Sequence, residues 1–416
     1  MKIFKFGGAS VKDANAVTNM FKVLQATAEK DLVIVVSAMG KTTNALEEVV
    51  HAYFDDPKNL AAAIANSYSY HLDIIAELFE SQHKVILNVI EGYFDDLKSF
   101  LERNKSPNYN FVYDQVVSTG ELLSTAIISH YLEKTGYKNR LLDIRNHLKT
   151  TNNYREGKIK WDDSQASLIK AISPKGFTVT QGFIASDENG FTTTLGREGS
   201  DYTAAILAYC LNAKSVTIWK DVPGVLSADP RYFKDALLLN NISYQEAIEL
   251  SFYGATVIHP KTLQPLQHKE IPLYVKSFVD PLAAGTSVTK GELLEPLTPC
   301  FITKQNQFLI SLSSLDFSFM IEENIGEVFK LLGRHKMKVD LIQNSAISFS
   351  VCIDDKYGNL EDLLIQLKQH FKVAVHKNVQ LFTIRHFTEK ALQTIEEGKN
   401  VLLKQVTENT VQLVTQ

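Results

Sequence analysis

Cysteine is scarce: three residues in 416, Cys210, Cys300 and Cys352. None sits in a C-x-x-C pair, and an odd number argues against a disulfide framework. Each has apolar neighbours and reads as a buried, inert thiol, so the expected compartment is the cytoplasm. The eleven histidines are scattered without metal-ligand spacing and read as surface or core residues. No basic excess exists: the formal net charge is −4, which leaves no electrostatic footprint for nucleic acid. No apolar run approaches bilayer length, so no membrane partner is expected. The start, MKIFKFGGAS, lacks the layout of a secretory signal and reads as a strand running into a loop.

What is present is ordinary globular material, 45% hydrophobic and 22% charged, enough for two or three domains. MKIFKF reads as a strand, residues 11–30 as an amphipathic helix, and LVIVVSAMG as a strand buried on both faces. That β-α-β order implies a parallel sheet covered by helices. Residues 44–104 form a mainly helical insertion, broken near Pro57 and Ser81, and another helix runs from about Gly120 to Lys134. RLLDIR at 140–145 reads as a strand. FTVTQGFIA and FTTTL read as strands joined by an Asp-Glu-Asn-Gly turn. Ser200 or Asp201 opens a helix, SVTIW is a strand, 243–269 is mostly helical, and IPLYVKSF is a closing strand. Pro296 and Pro299 mark a domain boundary. Beyond it the order is β-α-β-β-α-β, a ferredoxin-like unit, and then a second run that stops before its second helix.

Five segments carry charge or glycine where an α/β sheet binds ligands, beyond the carboxyl ends of parallel strands. They are Lys5-Phe6-Gly7-Gly8-Ala9-Ser10, Ser37-Ala38-Met39-Gly40-Lys41-Thr42-Thr43-Asn44 and Ser118-Thr119-Gly120-Glu121. The fourth is Leu195-Gly196-Arg197-Glu198-Gly199-Ser200-Asp201-Tyr202. The fifth joins Trp219-Lys220-Asp221-Val222-Pro223-Gly224 to Ser227-Ala228-Asp229-Pro230-Arg231. Glycines let backbone N–H groups approach an anion, lysine adds a point charge for phosphate, and arginine forks onto a carboxylate. The spacing is not that of a Walker A loop. Taken singly, each is matched by a plain turn, cap or surface ion pair. Only the conjunction points to a site.

KFGGAS, SAMGKTTN, STGELLS, TLGREGSDYTA, WKDVPGV with SADPR, and GATVIHPKTL stand in the order found in aspartate kinases, which the chain resembles over residues 1 to about 290. GEVFKLLGRHKMKVDLIQNSAISFSV resembles their ACT regulatory unit. The resemblance implies the α/β amino-acid-kinase fold, mostly a parallel sheet between helices, plus ferredoxin-like ACT repeats. The implied domains are a catalytic domain at 1–295, a first ACT-like unit at 300–377 and a partial second at 378–416. It implies Mg·ATP-dependent phosphorylation of the L-aspartate side-chain carboxylate, the first step of lysine, threonine and methionine biosynthesis, with ATP and Mg²⁺ as cofactors. Lys5 would contact the transferred phosphoryl group, with Gly7 and Gly8 as backbone donors and Asp201 orienting Lys5. Arg197 would clamp the substrate α-carboxylate, Glu121 its ammonium, and Thr43 and Ser200 would help seat it. Lys220, Asp221 and Arg231 would hold the nucleotide. Asp340 and Ser345 are candidate effector contacts, and the ACT region implies a homodimer or higher homo-oligomer. No homoserine dehydrogenase domain follows residue 416, so a single activity is expected.

The pattern departs from the family at Glu198, where glycine is usual, at Leu226, where tyrosine is frequent, and at Thr256, where many relatives have lysine. These bear on ATP affinity. Ile321-Glu322-Glu323-Asn324-Ile325 and Ser345-Ala346-Ile347 replace segments usual in lysine-inhibited relatives, which implies weak or absent lysine feedback. A glutamate, N-acetylglutamate or nucleotide kinase of the same fold stays open as an alternative, as does an amino-acid sensor on a kinase scaffold.

Overall fold

The computed structural model describes residues 1–416 apart from 81–83, 256–257, 292 and 317. The expected break at Ser81 and the departure at Thr256 lie outside the described residues. The chain divides into two units, one of Met1–Val225, Leu238–Ile248 and Val257–Leu294, the other of Leu226–Leu237, Glu249–Thr256 and Glu295–Gln416. Among the described residues no helix is long and apolar enough to cross a membrane.

The first unit begins β1 (Lys2–Phe6), α1 (Ala14–Thr27), β2 (Asp31–Val36), α2 (Thr42–Asp55), α3 (Leu60–Phe79), α4 (Lys84–Arg103), α5 (Tyr109–Val117), α6 (Thr119–Lys134) and β3 (Asn139–Leu142). It continues with α7 (Trp161–Ala171), β4 (Gly176–Gln181), β5 (Ile184–Ser186), β6 (Thr192–Thr194), α8 (Gly199–Leu211) and β7 (Val216–Lys220). Then come β8 (Asn241–Ser243), α9 (Tyr244–Tyr253), which runs on into the second unit, α10 (Pro260–His268), β9 (Leu273–Ser277) and β10 (Thr286–Thr289). Eight of these strands form one sheet in the order β3-β4-β2-β1-β7-β9-β10-β8, parallel except where β10 meets β9.

Local chemistry explains the elements nearest the site. β1 and β2 are central, so both faces are covered and their residues form apolar runs. Asp13 starts α1 by accepting a bond from the Ala16 amide at 2.7 Å, and Ala28 in the left-handed region stops it. Ala14, Val17, Met20 and Leu24 face inward at helical spacing, while Phe21 is half-buried. In α4, Ile86, Ile90, Phe94, Leu97 and Leu101 form one buried stripe.

Three expectations change. FTVTQGFIA is two strands, because the chain leaves the parallel sheet at Gly182-Phe183, where Phe183 has φ 67°. A Cβ on Gly182 would lie 2.5 Å from that of Ser200, so this corner exists only because glycine lets it pass under the start of α8. β5 then pairs with β6 in a separate two-stranded antiparallel sheet. RLLDIR is a strand only to Leu142, after which Asp143 accepts from the Arg145 amide at 3.1 Å and turns the chain into a short 3-10 segment. Helices α5 and α7 and strands β8 and β10 are not among the elements expected from the sequence.

The second unit holds β11 (Cys300–Ser314), α11 (Glu322–Arg334), β12 (Lys338–Asn344), β13 (Ser348–Asp354), α12 (Leu360–His370), β14 (Phe371–Arg385), α13 (Glu389–Glu396), β15 (Val401–Val406) and β16 (Thr410–Thr415). They build one antiparallel sheet, β12-β13-β11-β14-β16-β15, consistent with ACT domains. The segments expected as separate strands, KVAVHK and VQLFTIRHF, are one fifteen-residue strand, and β11 is as long. The physical reason is a shared bulge: register shifts near Gln307, and Asn306 and Asn378 each take φ 56°. Asparagine tolerates that conformation, so both strands bend without ending. Phe301 and Ile302 pair with Ile384 and Thr383, so β11 supplies the strand that the short second run lacks. Its two ends cover different cores, one around Val328, Val351 and Leu363, the other around Ile384, Ile395 and Leu413.

Candidate active site

Lys5 lies near the carboxyl end of β1 and Asp201 in the first turn of α8, and their side chains meet at 2.6 Å. Both are buried, at 10% and 3% side-chain exposure, so neither charge is screened by bulk water. Lys220, at the end of β7, reaches the other Asp201 oxygen at 3.6 Å. Burial pushes the Asp201 carboxyl up, but Lys5 and then Lys220 outweigh it and hold the group below its usual range. The start of α8 adds to this by favouring a carboxylate in its first turn.

Two glycine loops pack tightly above this pair. A Cβ on Gly8 would sit 2.9 Å from the Gly40 carbonyl oxygen and 3.0 Å from that of Ala38, so only glycine lets the loops after β1 and β2 touch. The Ala38 amide donates to Glu121 Oε1 at 3.2 Å. Glu121 is buried, and its other oxygen has no hydrogen-bond partner among the described residues. Dehydration therefore pushes its carboxyl up to about 8, against weaker lowering by the Ala38 and Glu121 amides and by Lys5.

These groups open on a cavity of about 260 Å³, whose wall also includes Ser37, Thr43, Phe183, Gly196, Glu198, Gly199, Ser200 and Lys220. Gly199 lies against Phe183, whose ring a Cβ there would approach to 2.6 Å. Glu198 precedes α8 with φ 53°, a left-handed conformation that costs a side-chain-bearing residue about 1–2 kcal/mol. Glu198 lines the cavity, and burial raises its pKa against the nearby charge of Lys220.

Behind the wall, Asp114 of α5 fastens the strand that leads to Arg197. It accepts the Thr194 amide at 2.9 Å, the Thr194 hydroxyl at 2.8 Å and the Arg155 amide at 2.9 Å. The Arg155 carbonyl then backs Gly196, where a Cβ would meet it at 3.1 Å. Asp114 is fully buried, and its carboxyl is pushed up to about 6 by dehydration despite those donors.

Lys5, Thr43, Glu121, Ser200, Asp201 and Lys220 therefore share one cavity. Arg197 is exposed beside it, and Gly7 is near enough to Lys5 that a Cβ would lie 3.2 Å from its ammonium. Asp221 is exposed. Arg231 belongs to the second unit, where it forks onto Asp229 at 2.6–3.1 Å. Contrary to expectation, the five segments do not all follow parallel strands. Ser118 joins α5 to α6 and residues 119–124 are the first turns of α6, while residues 195–202 follow β6 of the small antiparallel sheet. Helices and a side hairpin reach the same place because the chain corner at Gly182 turns β5 and β6 toward α5. Sequence reasoning missed Phe183 and Asp114. The second had a readable signal, an acid amid the apolar run Phe111, Val112, Tyr113, Val116, Val117.

In Asp340 and Ser345 the other candidates sit in the second unit. Asp340 is buried against Lys304 at 2.8 Å and Lys338 at 3.2 Å. Ser345 is exposed, with its hydroxyl 2.9 Å from that of Ser348.

A parallel sheet whose strand ends gather two lysines, a buried acid and glycine loops defines a small-molecule phosphotransferase, and residues 1–277 match the model of the amino acid kinase family. The chain is 32% identical to the lysine-sensitive aspartokinase 3 of Escherichia coli over 92% of this chain and 86% of that one. It is similar throughout its length to solved structures of Escherichia coli aspartokinase III. The complex with lysine and aspartate gives a TM-score of 0.84 at 28% identity, covering 95% of that chain. The complex with aspartate and ADP gives 0.82 at 28%, covering 96%. The chain belongs to the aspartokinases of the amino acid kinase family.

Proposed function

We propose that the chain transfers the γ-phosphoryl group of Mg·ATP to the side-chain carboxylate of L-aspartate, giving 4-phospho-L-aspartate and ADP. The observation that carries this is the buried Lys5–Asp201 pair on the wall of a cavity that also holds Glu121 and Lys220. A carboxylate oxygen of aspartate attacks the γ-phosphorus, the bond to the bridging oxygen of ADP breaks, and its electron pair leaves with ADP. The nucleophile is already ionised, so no general base is needed. Catalysis then rests on positioning and charge. Lys5, oriented by Asp201, neutralises the charge on the moving phosphoryl group. The backbone at Gly7 and Gly8 donates to its oxygens, and Lys220 and Asp221 contact the nucleotide. Glu121 binds the substrate ammonium, Arg197 its α-carboxylate, and Thr43 and Ser200 line the seat.

Among the described residues no cluster of three or more His, Cys, Asp or Glu could cage a metal. Mg²⁺ would supply charge neutralisation on the phosphate oxygens. The test is aspartyl hydroxamate formation with aspartate, Mg·ATP and hydroxylamine, beside Lys5→Ala. A signal lost in the variant supports the reading. ATP use with glutamate but not aspartate would move the assignment within the fold.

We further infer that lysine inhibits weakly or not at all. A buried ligand ammonium needs an uncompensated carboxylate, and two ammonium groups, Lys304 and Lys338, already meet the charge of Asp340 at Oδ1, although its buried Oδ2 has no hydrogen-bond partner among the described residues. Inhibition by sub-millimolar lysine would overturn this. Finally, the second unit is the proposed seat of homodimerisation. Its edge strand β12 exposes Ile342, and Phe319 and Ile347 are exposed in the same unit. A monomer by light scattering would refute that.

A further inference from the structure

Among the charged side chains that line the cavity, Glu198 is the one that the proposed chemistry does not use. It holds a backbone conformation that residues with a side chain disfavour, at φ 53° and ψ 31°. Strain of that kind collects at functional positions. Its Oε2 is buried and has no hydrogen-bond partner among the described residues. The charges that face it come from every surrounding element: Lys220 from β7, Lys5 from β1, Asp201 from the first turn of α8, and Arg197 from the preceding residue. Glu121 of α6 shares the cavity.

Two of the three cations, Lys5 and Lys220, are the groups assigned to the phosphates, so an anionic oxygen sits where a polyphosphate needs to find them. We propose that Glu198 is a resident anion that stands in for a nucleotide phosphate beside Lys220 and competes with ATP for that charge. This rests on the aspartate kinase reading and deepens it. An incoming phosphate must turn the Glu198 carboxylate away or force a proton onto it. Nucleotide affinity is therefore set by this side chain, while the aspartate seat around Glu121 is affected less.

The test is calorimetric binding of Mg·ADP and steady-state titration of ATP, with Glu198→Gln and Glu198→Gly. The first keeps the shape and removes the charge; the second also removes the strained side chain. The expected result is tighter nucleotide binding, about tenfold in Glu198→Gln, the scale of removing one close like charge. The KM for ATP falls with it, and the KM for aspartate moves less. Wild-type binding takes up a proton, read from two buffers of different ionisation enthalpy, and Glu198→Gln takes up fewer. Unchanged nucleotide affinity in Glu198→Gln overturns the proposal. Weaker affinity overturns it too, because it makes Glu198 a partner of the nucleotide. The calorimetry needs no turnover, so wild type that binds Mg·ADP but gives no aspartyl hydroxamate refutes the kinase reading alone. Wild type that binds no nucleotide overturns both.

Discussion

Each unit of this protein buries a lysine–aspartate pair, and the two pairs are nearly alike. Lys5–Asp201 spans 2.6 Å with a second lysine, Lys220, at 3.6 Å. Lys304–Asp340 spans 2.8 Å with a second lysine, Lys338, at 3.2 Å. The surroundings differ. The first pair lines a cavity at the ends of parallel strands, beside a helix start and two glycine loops. The second joins β11 to β12 across β13, with Cys352 of β13 close enough to feel both charges. An ion pair is thus not a site by itself. It becomes one where it opens on a space that a substrate can enter.

The largest expected effect separates the two pairs by function. Lys5→Ala should lower the turnover of aspartyl hydroxamate formation by about 10³-fold or more, the scale of removing a charge that acts on the transition state. Lys304→Ala should leave turnover at saturating substrates within about twofold. Equal losses would end the comparison.

Next comes Glu121. Glu121→Gln should raise the KM for aspartate by roughly 30-fold, about 2 kcal/mol, with a smaller change in turnover. The wild-type KM should fall as pH rises toward about 8, because Glu121 must ionise to meet the ammonium. The stability sign is opposite. Its carboxyl is raised from 4.5 to about 8, so the neutral form contributes stability that is full below 4.5 and lost as pH rises through 8. The variant should lose both trends in pH-dependent kinetics and urea melts.

Asp114→Asn should raise the KM for aspartate by about tenfold while ATP binding holds, because a strand that loses acceptors no longer fixes Arg197. In the second unit, Lys304→Ala should cost about 2–3 kcal/mol in urea unfolding of that unit, less than a fully isolated buried charge because Lys338 stays. Lys304→Met with Asp340→Leu should recover most of it, since a buried pair replaced by apolar groups is often neutral. No such repair of activity is expected at Lys5 and Asp201.

Much of this was legible in order. β1, β2 and β7 announce themselves as apolar runs, and the glycine and lysine segments after them mark one end of the sheet. The two long strands were harder. A helix or turn signal would have ended them, but Asn306 and Asn378 permit a bulge in mid-strand, and a bulge looks like a loop in sequence. The fold class could be read because periodicity is local, whereas strand continuity depends on a partner elsewhere.

The site shows the same divide. Residue types were in the sequence: a lysine after a strand, an acid opening a helix, a glutamate where α6 begins. That Asp201 meets Lys5 across 196 residues, that Glu198 joins the cavity wall, and that Asp340 pairs with Lys304 were decided only by the tertiary structure. The reason is physical. Hydrophobic patterning acts between neighbours along the chain, while charge pairing and dehydration depend on what folding brings within a few ångströms.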